Sequence, residues 1–363
     1  MSDFIGSLRS TLSPDIGLDL GTANTVVYER GAGAIVSEPS VVAYDLRTDT
    51  IVAIGTAAKE MEGRVPPYLS VIRPLRRGTI SDFRAAQTLV ARLVDRALAT
   101  RARLAPRLVA SIPGCATDIE CKAVEQAVRA AGARYTTYVP QAVAAAVGAG
   151  LDVMSRQAQM VVDIGGGTTE IAVLSTAGVI SLSSVQLGGD AFDLAIAQRL
   201  RAEHFAVGAL TAERIKIELG FAGRAPGRDP VLVNGNDLAV HAPAAREVRE
   251  TLVGEAMADG LAFILGAIRS VLEQMPPDVA ADLIETGITL TGGGALICGL
   301  ATEIGSGMHV PTTVAPDPLV CVARGAGEIL GSPTLLEQLR PHGDRFTRWY
   351  QSLRIGMRES FSP

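Results

Sequence analysis

The chain has 363 residues, 48% hydrophobic but only 4% aromatic, so its core is aliphatic, and its length suits two domains. A net charge of −5, from 33 basic and 38 acidic side chains, leaves no general basic field and argues against a nucleic-acid partner. No apolar run reaches the roughly 18–20 residues of a membrane span. Cys115, Cys121, Cys298 and Cys321 show neither CxxC nor Cys/His spacing, which argues against a zinc site or disulfide framework and for a reducing cytoplasm.

In chain order, the first segment places Phe4, Ile5, Leu8 and Leu12 on one helical face, an amphipathic pattern. Ile16 to Tyr28 follows as an apolar strand, a small polar turn carrying Asp19, and a second apolar strand, which reads as a β-hairpin. Further strands are expected at Ser40 to Tyr44 and Ile51 to Ile54, a helix at Ala85 to Ala99, a strand at Arg107 to Ile112, a helix at Thr117 to Ala131, and another helix after Pro140. Between them, Leu104 flanked by Arg101, Arg103 and Arg107 has an apolar tip with a cationic rim.

The hairpin design then returns at Met160 to Leu174, with Asp163 in place of Asp19. After it come a strand at Val179 to Val185, helices at Ala191 to Phe205, Thr211 to Leu219 and Arg246 to Glu273, and the strand Ile288 to Thr291, which leads through Gly292, Gly293 and Gly294 to a helix expected near Ala295. This repetition predicts an α/β fold of two related domains, 14–152 and 153–331, with an amphipathic segment at 1–13 and a tail at 332–363. The tail sets Phe346, Trp349, Tyr350 and Leu353 on one helical face beside Arg345, Arg348, Arg354 and Arg358, a pattern suited to a lipid surface or a partner.

Successive backbone N–H groups in a tight Gly/Thr turn form an anion-binding nest, and two such turns can grip a polyphosphate from both sides. Thr22, Asn24 and Thr25 in the first turn and Thr168 and Thr169 in the second add donors. Asp19 and Asp163 would repel phosphate oxygens unless a cation lay between, which implies a hydrated Mg2+. Gly292 to Gly294, between a strand and a helix, would receive a phosphate or the flat part of a nucleoside.

These three segments resemble the two phosphate motifs and the adenosine motif of the actin, heat-shock chaperone and sugar-kinase ATPase superfamily. Within it the chain resembles the bacterial actins of the MreB/Mbl type. Asp19-Leu-Gly-Thr-Ala-Asn-Thr25, Glu38-Pro-Ser-Val-Val-Ala43, Ile72-Arg-Pro-Leu75, Asp163-Ile-Gly-Gly-Gly-Thr-Thr-Glu170, Thr211-Ala-Glu-Arg-Ile-Lys216 and Leu290-Thr-Gly-Gly-Gly-Ala-Leu296 stand in that family's order. The resemblance implies two RNase H-like actin-fold domains, each with a smaller subdomain, flanking a nucleotide cleft. It implies ATP and Mg2+ as ligands, with Asp19 and Asp163 holding the metal through water. Gly21, Thr22, Ala23, Asn24 and Thr25 would bind phosphates together with Gly165, Gly166, Gly167 and Thr168. Glu213 and Lys216 would border ribose and base, and Gly292, Gly293, Gly294 and Ala295 would lie under the nucleoside.

The family's Glu-Glu-Pro before an Ala-rich helix is replaced here by Val139-Pro-Gln141, so Gln141 stands where a Glu is taken to position the attacking water. A glutamine amide cannot take a proton at neutral pH but can orient water for in-line attack. Catalysis, expected to be slow and stimulated by assembly, would fall to Gln141 and Asp163. The resemblance further implies self-assembly into filaments at the inner face of the plasma membrane, contact with the lipid surface, and bitopic morphogenesis partners of the MreC or RodZ type, in the service of cell shape or cell-wall synthesis. A non-polymerising nucleotide-binding regulator or scaffold is the alternative.

Overall fold

Strand β1 (Asp15–Leu20) is buried along almost its whole length, which is what an aliphatic run covered on both faces of a sheet requires. The computed structural model describes residues 13–98, 105–114, 116–176 and 178–338; the amphipathic segment before residue 13, Leu104 with Arg101 and Arg103, and the tail from 339 lie outside the described residues. β1 turns back into β2 (Asn24–Glu29), and β3 (Gly33–Pro39) adds a further antiparallel strand. The chain next forms β4 (Val42–Asp45), β5 (Thr50–Ile54), the short helix Thr56–Glu60, β6 (Leu69–Ile72) and a small ribbon of β7 (Leu75–Arg76) and β8 (Thr79–Ile80). β5, β4 and β6 make a separate three-stranded sheet.

Helix Phe83–Leu98 buries Ala85, Ala86, Leu89, Val90, Leu93, Val94 and Ala97, a stripe at helical period, and Asp82 accepts from the Ala85 N–H to cap its start. β9 (Arg107–Ile112) and β10 (Tyr135–Pro140) join β1 in parallel, connected by helix Asp118–Ala130, which Thr117 and Glu120 open as a reciprocal capping box. The resulting sheet has the order β10-β9-β1-β2-β3. Helix Gln141–Gly148 follows β10 directly.

The second half repeats the plan. β11 (Gln159–Ile164), β12 (Thr169–Ser175) and β13 (Gly178–Val185) are antiparallel, while β17 (Ile288–Thr291) and β18 (Thr312–Val314) continue from β11 in parallel, giving the order β13-β12-β11-β17-β18. The intervening chain holds helix Gly189–Ala202, helix Ala209–Leu219 and a sheet of β14 (Phe205–Ala206), β15 (Val231–Asp237) and β16 (Ala242–Val248). The two five-stranded sheets therefore share one topology, as the repeated hairpin motif predicts.

Three expectations shift. The helix expected from Arg246 begins at Glu250, because Ala242–Val248 is instead paired with β15 in a hairpin. The helix expected near Ala295 is a single 3-10 turn, Gly293–Leu296, and the α-helix starts only at Leu300. Helix Glu250–Glu273 has the length and hydropathy of a membrane span, contrary to the reading from composition; its stripe of Val253, Met257, Leu261, Ile264, Ile268 and Val271 is nevertheless packed into the core of the second half.

The halves are joined by two helices. Cys321–Gly331 follows the second sheet in sequence but packs on β1 and β9, while Gln141–Gly148 reaches β11 and β12. They cross through small residues: a Cβ at Gly148 would lie 1.8 Å from the Cys321 carbonyl oxygen, and one at Gly325 would lie 1.8 Å from that of Ala144. Only glycine permits this approach. Arg324 locks the crossing by donating to the carbonyl of Gly148 at 2.6 Å.

Candidate functional site

The two hairpin turns face each other. A Cβ at Gly166 would lie 2.6 Å from that of Ala23, so the second turn can approach the first only as glycine. On the other side of the first turn, Thr22 Oγ1 accepts from the Gly78 N–H at 2.9 Å, which fixes the loop between β7 and β8 against it. Between the turns opens a cavity of about 480 Å³. Its lining includes every site residue singled out from the sequence except Thr25, Thr169 and Ala295.

Those three are corrections. Thr25 is the second residue of β2 and is fully buried, with its hydroxyl 2.9 Å from that of Ser40, so it supports the turn from behind. Thr169 is buried likewise, and its hydroxyl donates to the Leu187 carbonyl at 2.8 Å. Ala295 lies inside the 3-10 turn with its methyl packed in the core.

Asp19 and Asp163 open onto the cavity from the two sheets. Asp163 is 2% exposed, and both its oxygens are occupied: Oδ2 accepts from Gln141 Nε2 at 2.7 Å and Oδ1 from Thr291 Oγ1 at 2.8 Å. Asp19 Oδ1 accepts from Ser111 Oγ at 3.2 Å. Burial, reinforced by the charge of Asp163, pushes the Asp19 carboxyl up to about 7, and burial also raises Asp163. Two carboxyls that each disfavour the other's charge, both hard oxygen donors beside a nest of backbone N–H groups, fit a hydrated divalent cation of the Mg2+ type. No cluster of three or more His, Cys, Asp or Glu suited to a metal occurs among the described residues, so such an ion would keep several waters.

At the far end, Glu213 and Lys216 line the cavity but are already engaged. Glu213 pairs with Lys59 at 2.6 Å, reaching across the cleft to helix Thr56–Glu60, and Lys216 donates to Asp193 at 3.0 Å and to the Gly189 carbonyl at 3.1 Å.

Sequence reasoning missed Ser111, Thr291, Lys59, Asp193 and Gly78. Two of them had a signal in strand register. Thr291 is the parallel partner of Asp163, and Ser111 follows Ala110, the partner of Leu18, so each hydroxyl stands beside the carboxylate at the end of the neighbouring strand. Lys59 and Asp193 come from elements far apart in sequence, and only the assembled fold brings them to the cleft.

Known proteins resemble the chain over most of its length. The family model described as MreB/Mbl protein matches residues 13–338. The cell shape-determining protein MreB of Escherichia coli (strain K12) is 40% identical over 330 residues, covering 89% of this chain and 94% of that protein. The cell shape-determining protein Mbl of Bacillus subtilis (strain 168) is 36% identical over 317 residues, covering 87% and 95%. The crystal structure of MreB5 of Spiroplasma citri bound to AMPPNP superposes with a TM-score of 0.82 at 30% identity, covering 87% of this chain and 96% of that one. By sequence over nearly its whole described length, and by a two-sheet architecture shared with an actin-fold relative, the chain belongs to the MreB/Mbl family.

Proposed function

We propose that the chain is an actin-like cytoskeletal protein that binds ATP with Mg2+ between its two hairpin turns, hydrolyses it slowly, and assembles head to tail into filaments serving cell shape or cell-wall synthesis. The observation that carries this reading is the pair Asp19 and Asp163 facing one cavity between two glycine-rich turns, with Gln141 bonded to Asp163. The backbone N–H groups of Gly21 to Asn24 and Gly165 to Thr168 would bind the phosphates. Asp19 and Asp163 would hold Mg2+ through water, and the ion would neutralise charge building on the phosphates.

Gln141 has its amide nitrogen committed to Asp163, which leaves the amide oxygen to accept from a water and orient it. Glu213 and Lys216, with Gly292 to Gly294, would border the nucleoside. Support for the nucleotide comes from the relative bound to AMPPNP, and support for the cellular role from relatives described as cell shape-determining. Residues 14–152 and 153–331 would then be two domains closing on the nucleotide. Filaments would lie at the cytoplasmic face of the plasma membrane, touching lipid and bitopic partners of the MreC or RodZ type.

Sedimentation and negative-stain microscopy, with nucleotide and lipid varied independently, test this. ATP-dependent pelleting of filaments is expected. Nucleotide-bound monomers at every concentration would overturn the filament and leave a non-polymerising nucleotide-binding scaffold. Flotation with liposomes, comparing the full chain with one ending at Gly331, reads the tail's part in membrane contact.

A further inference from the structure

Glu170 sits on β12 directly opposite Asp163 in the antiparallel register, yet it does not line the cavity and is fully buried. Its Oε1 accepts a short hydrogen bond from the Gly114 N–H. Oε2 lacks a well-formed hydrogen bond among the described residues, although the Ala142 backbone N–H and the Ser184 hydroxyl lie near the carboxyl group. Gly114 follows Pro113, and Ala142 follows Gln141; Pro113 and Gln141 both line the cavity. One carboxyl group of the second half thus bonds to the backbone behind one cavity-lining residue of the first half, Pro113, and lies beside the backbone that follows another, Gln141. Helix Gln141–Gly148 has no side-chain cap of its own, because Pro140 occupies its N-cap and offers no acceptor side chain. An acceptor from elsewhere in the fold is what the free N–H groups of that first turn need.

We propose that Glu170 is a positioning residue for phosphate release: it caps the Gln141 helix from across the domain junction and ties it to the Pro113–Gly114 turn, so that Gln141 is held where it meets Asp163 and the water. This rests on the nucleotide reading of the cavity. Glu170 touches no ligand in this role and acts through the backbone of Gly114 and Ala142. Its loss should therefore lower turnover far more than affinity.

The test compares wild type with Glu170→Ala, Glu170→Asp and Glu170→Gln in the full chain. The readouts are binding of a fluorescent ATP analogue with Mg2+, single-turnover phosphate release, and hydrogen exchange of the amides at 113–114 and 141–148. Glu170→Ala is expected to slow phosphate release about tenfold or more and to raise exchange at those amides, with affinity changed by less than about threefold. Glu170→Gln should restore only the tie to Gly114: its amide oxygen can still accept from that N–H, but its NH2 then faces the Ala142 N–H donor to donor, so exchange at 113–114 should return to the wild-type level while exchange at 141–148 stays raised and phosphate release stays slow. If the Ala variant fails to fold, Glu170→Asp carries the test: it keeps the carboxyl but is one methylene too short, and should show the same loss.

Unchanged exchange in a folded Ala or Asp variant would overturn the proposal. So would equal losses of affinity and turnover, or a Gln variant whose amides at 141–148 are as protected as in wild type. A wild type that neither binds nor hydrolyses ATP would instead overturn the nucleotide reading, while exchange at 141–148 would still decide whether Glu170 holds the helix.

Discussion

Gln141 Nε2 donates to Asp163 Oδ2 at 2.7 Å across the junction between the two halves, so this glutamine is bonded to a carboxylate rather than facing open solvent. A glutamate at 141 would set two acceptors against each other. Glutamine removes that repulsion, and in the proposed role its amide oxygen would accept from a water.

Gln141→Ala should therefore act in two ways. It strips a buried carboxylate of one of its donors, at a cost of about 1–3 kcal/mol in the nucleotide-free protein, read by denaturant unfolding. Phosphate release should fall to background, and a rate equal to wild type would remove Gln141 from the mechanism. Gln141→Glu should destabilise the free protein further and recover when Mg2+ and nucleotide are added.

The pH dependence of the free protein follows from its buried, raised carboxyls, Asp19, Asp163 and Glu170 among them. Burial pushes Glu170 from 4.5 up to about 8 and Asp19 from 3.8 up to about 7. Between those limits the folded chain keeps protons that the unfolded chain has released. Their contribution is thus fully present below pH 3.8 and is lost as pH rises toward 8. Denaturant midpoints should fall between mildly acidic and mildly alkaline buffer, by about 1 kcal/mol per pH unit for each proton retained. Glu170→Gln should flatten the slope, as should Mg2+ with nucleotide through Asp19. A midpoint that rises with pH would contradict both assignments.

Much of this arrangement was legible in the sequence, for physical reasons that particular residues show. The hairpins at Asp19 and Asp163 announce themselves because an aliphatic strand, an acidic bend and a Gly/Thr turn leave the backbone few alternatives. The hairpin of β15 and β16 escaped because Ala242 to Val248 has no large apolar side chain before Val248 and mostly faces solvent, so it carries no clear period. The 3-10 turn at Gly293 to Leu296 escaped because a glycine run before small apolar residues also reads as a helix start. Lys59 with Glu213, and Glu170 with Gly114, are tertiary pairs separated by long stretches of chain, and no local pattern encodes them.

The Lys59–Glu213 pair spans the cleft with its side chains 26% and 27% exposed, so solvent screening keeps its worth within about 1 kcal/mol. Lys59→Glu should accordingly speed release of a fluorescent nucleotide by roughly fivefold, an effect that shrinks with added salt. Adding Glu213→Lys to that variant should restore slow release if the pair acts as a latch. A double variant as fast as the single one would show that Glu213 acts through the nucleotide instead.

The crossing of helices Gln141–Gly148 and Cys321–Gly331 should tolerate substitution poorly, because the missing Cβ atoms are replaced by backbone and not by flexible side chains. Since an added Cβ at either glycine would stand only 1.8 Å from a carbonyl oxygen, Gly148→Ala or Gly325→Ala must spread the helices. A cost of about 3 kcal/mol or more is expected by denaturant unfolding. Spreading would also pull Gln141, at the start of one helix, away from Asp163, so nucleotide affinity should fall with stability. Gly266→Ala supplies the contrast: it lies within helix Glu250–Glu273, where nothing stands within 4 Å of an added Cβ. Alanine should stabilise that position by about 0.5–1 kcal/mol through its better helix propensity. Equal effects at Gly325 and Gly266 would show that helix propensity, and not the close crossing, governs both.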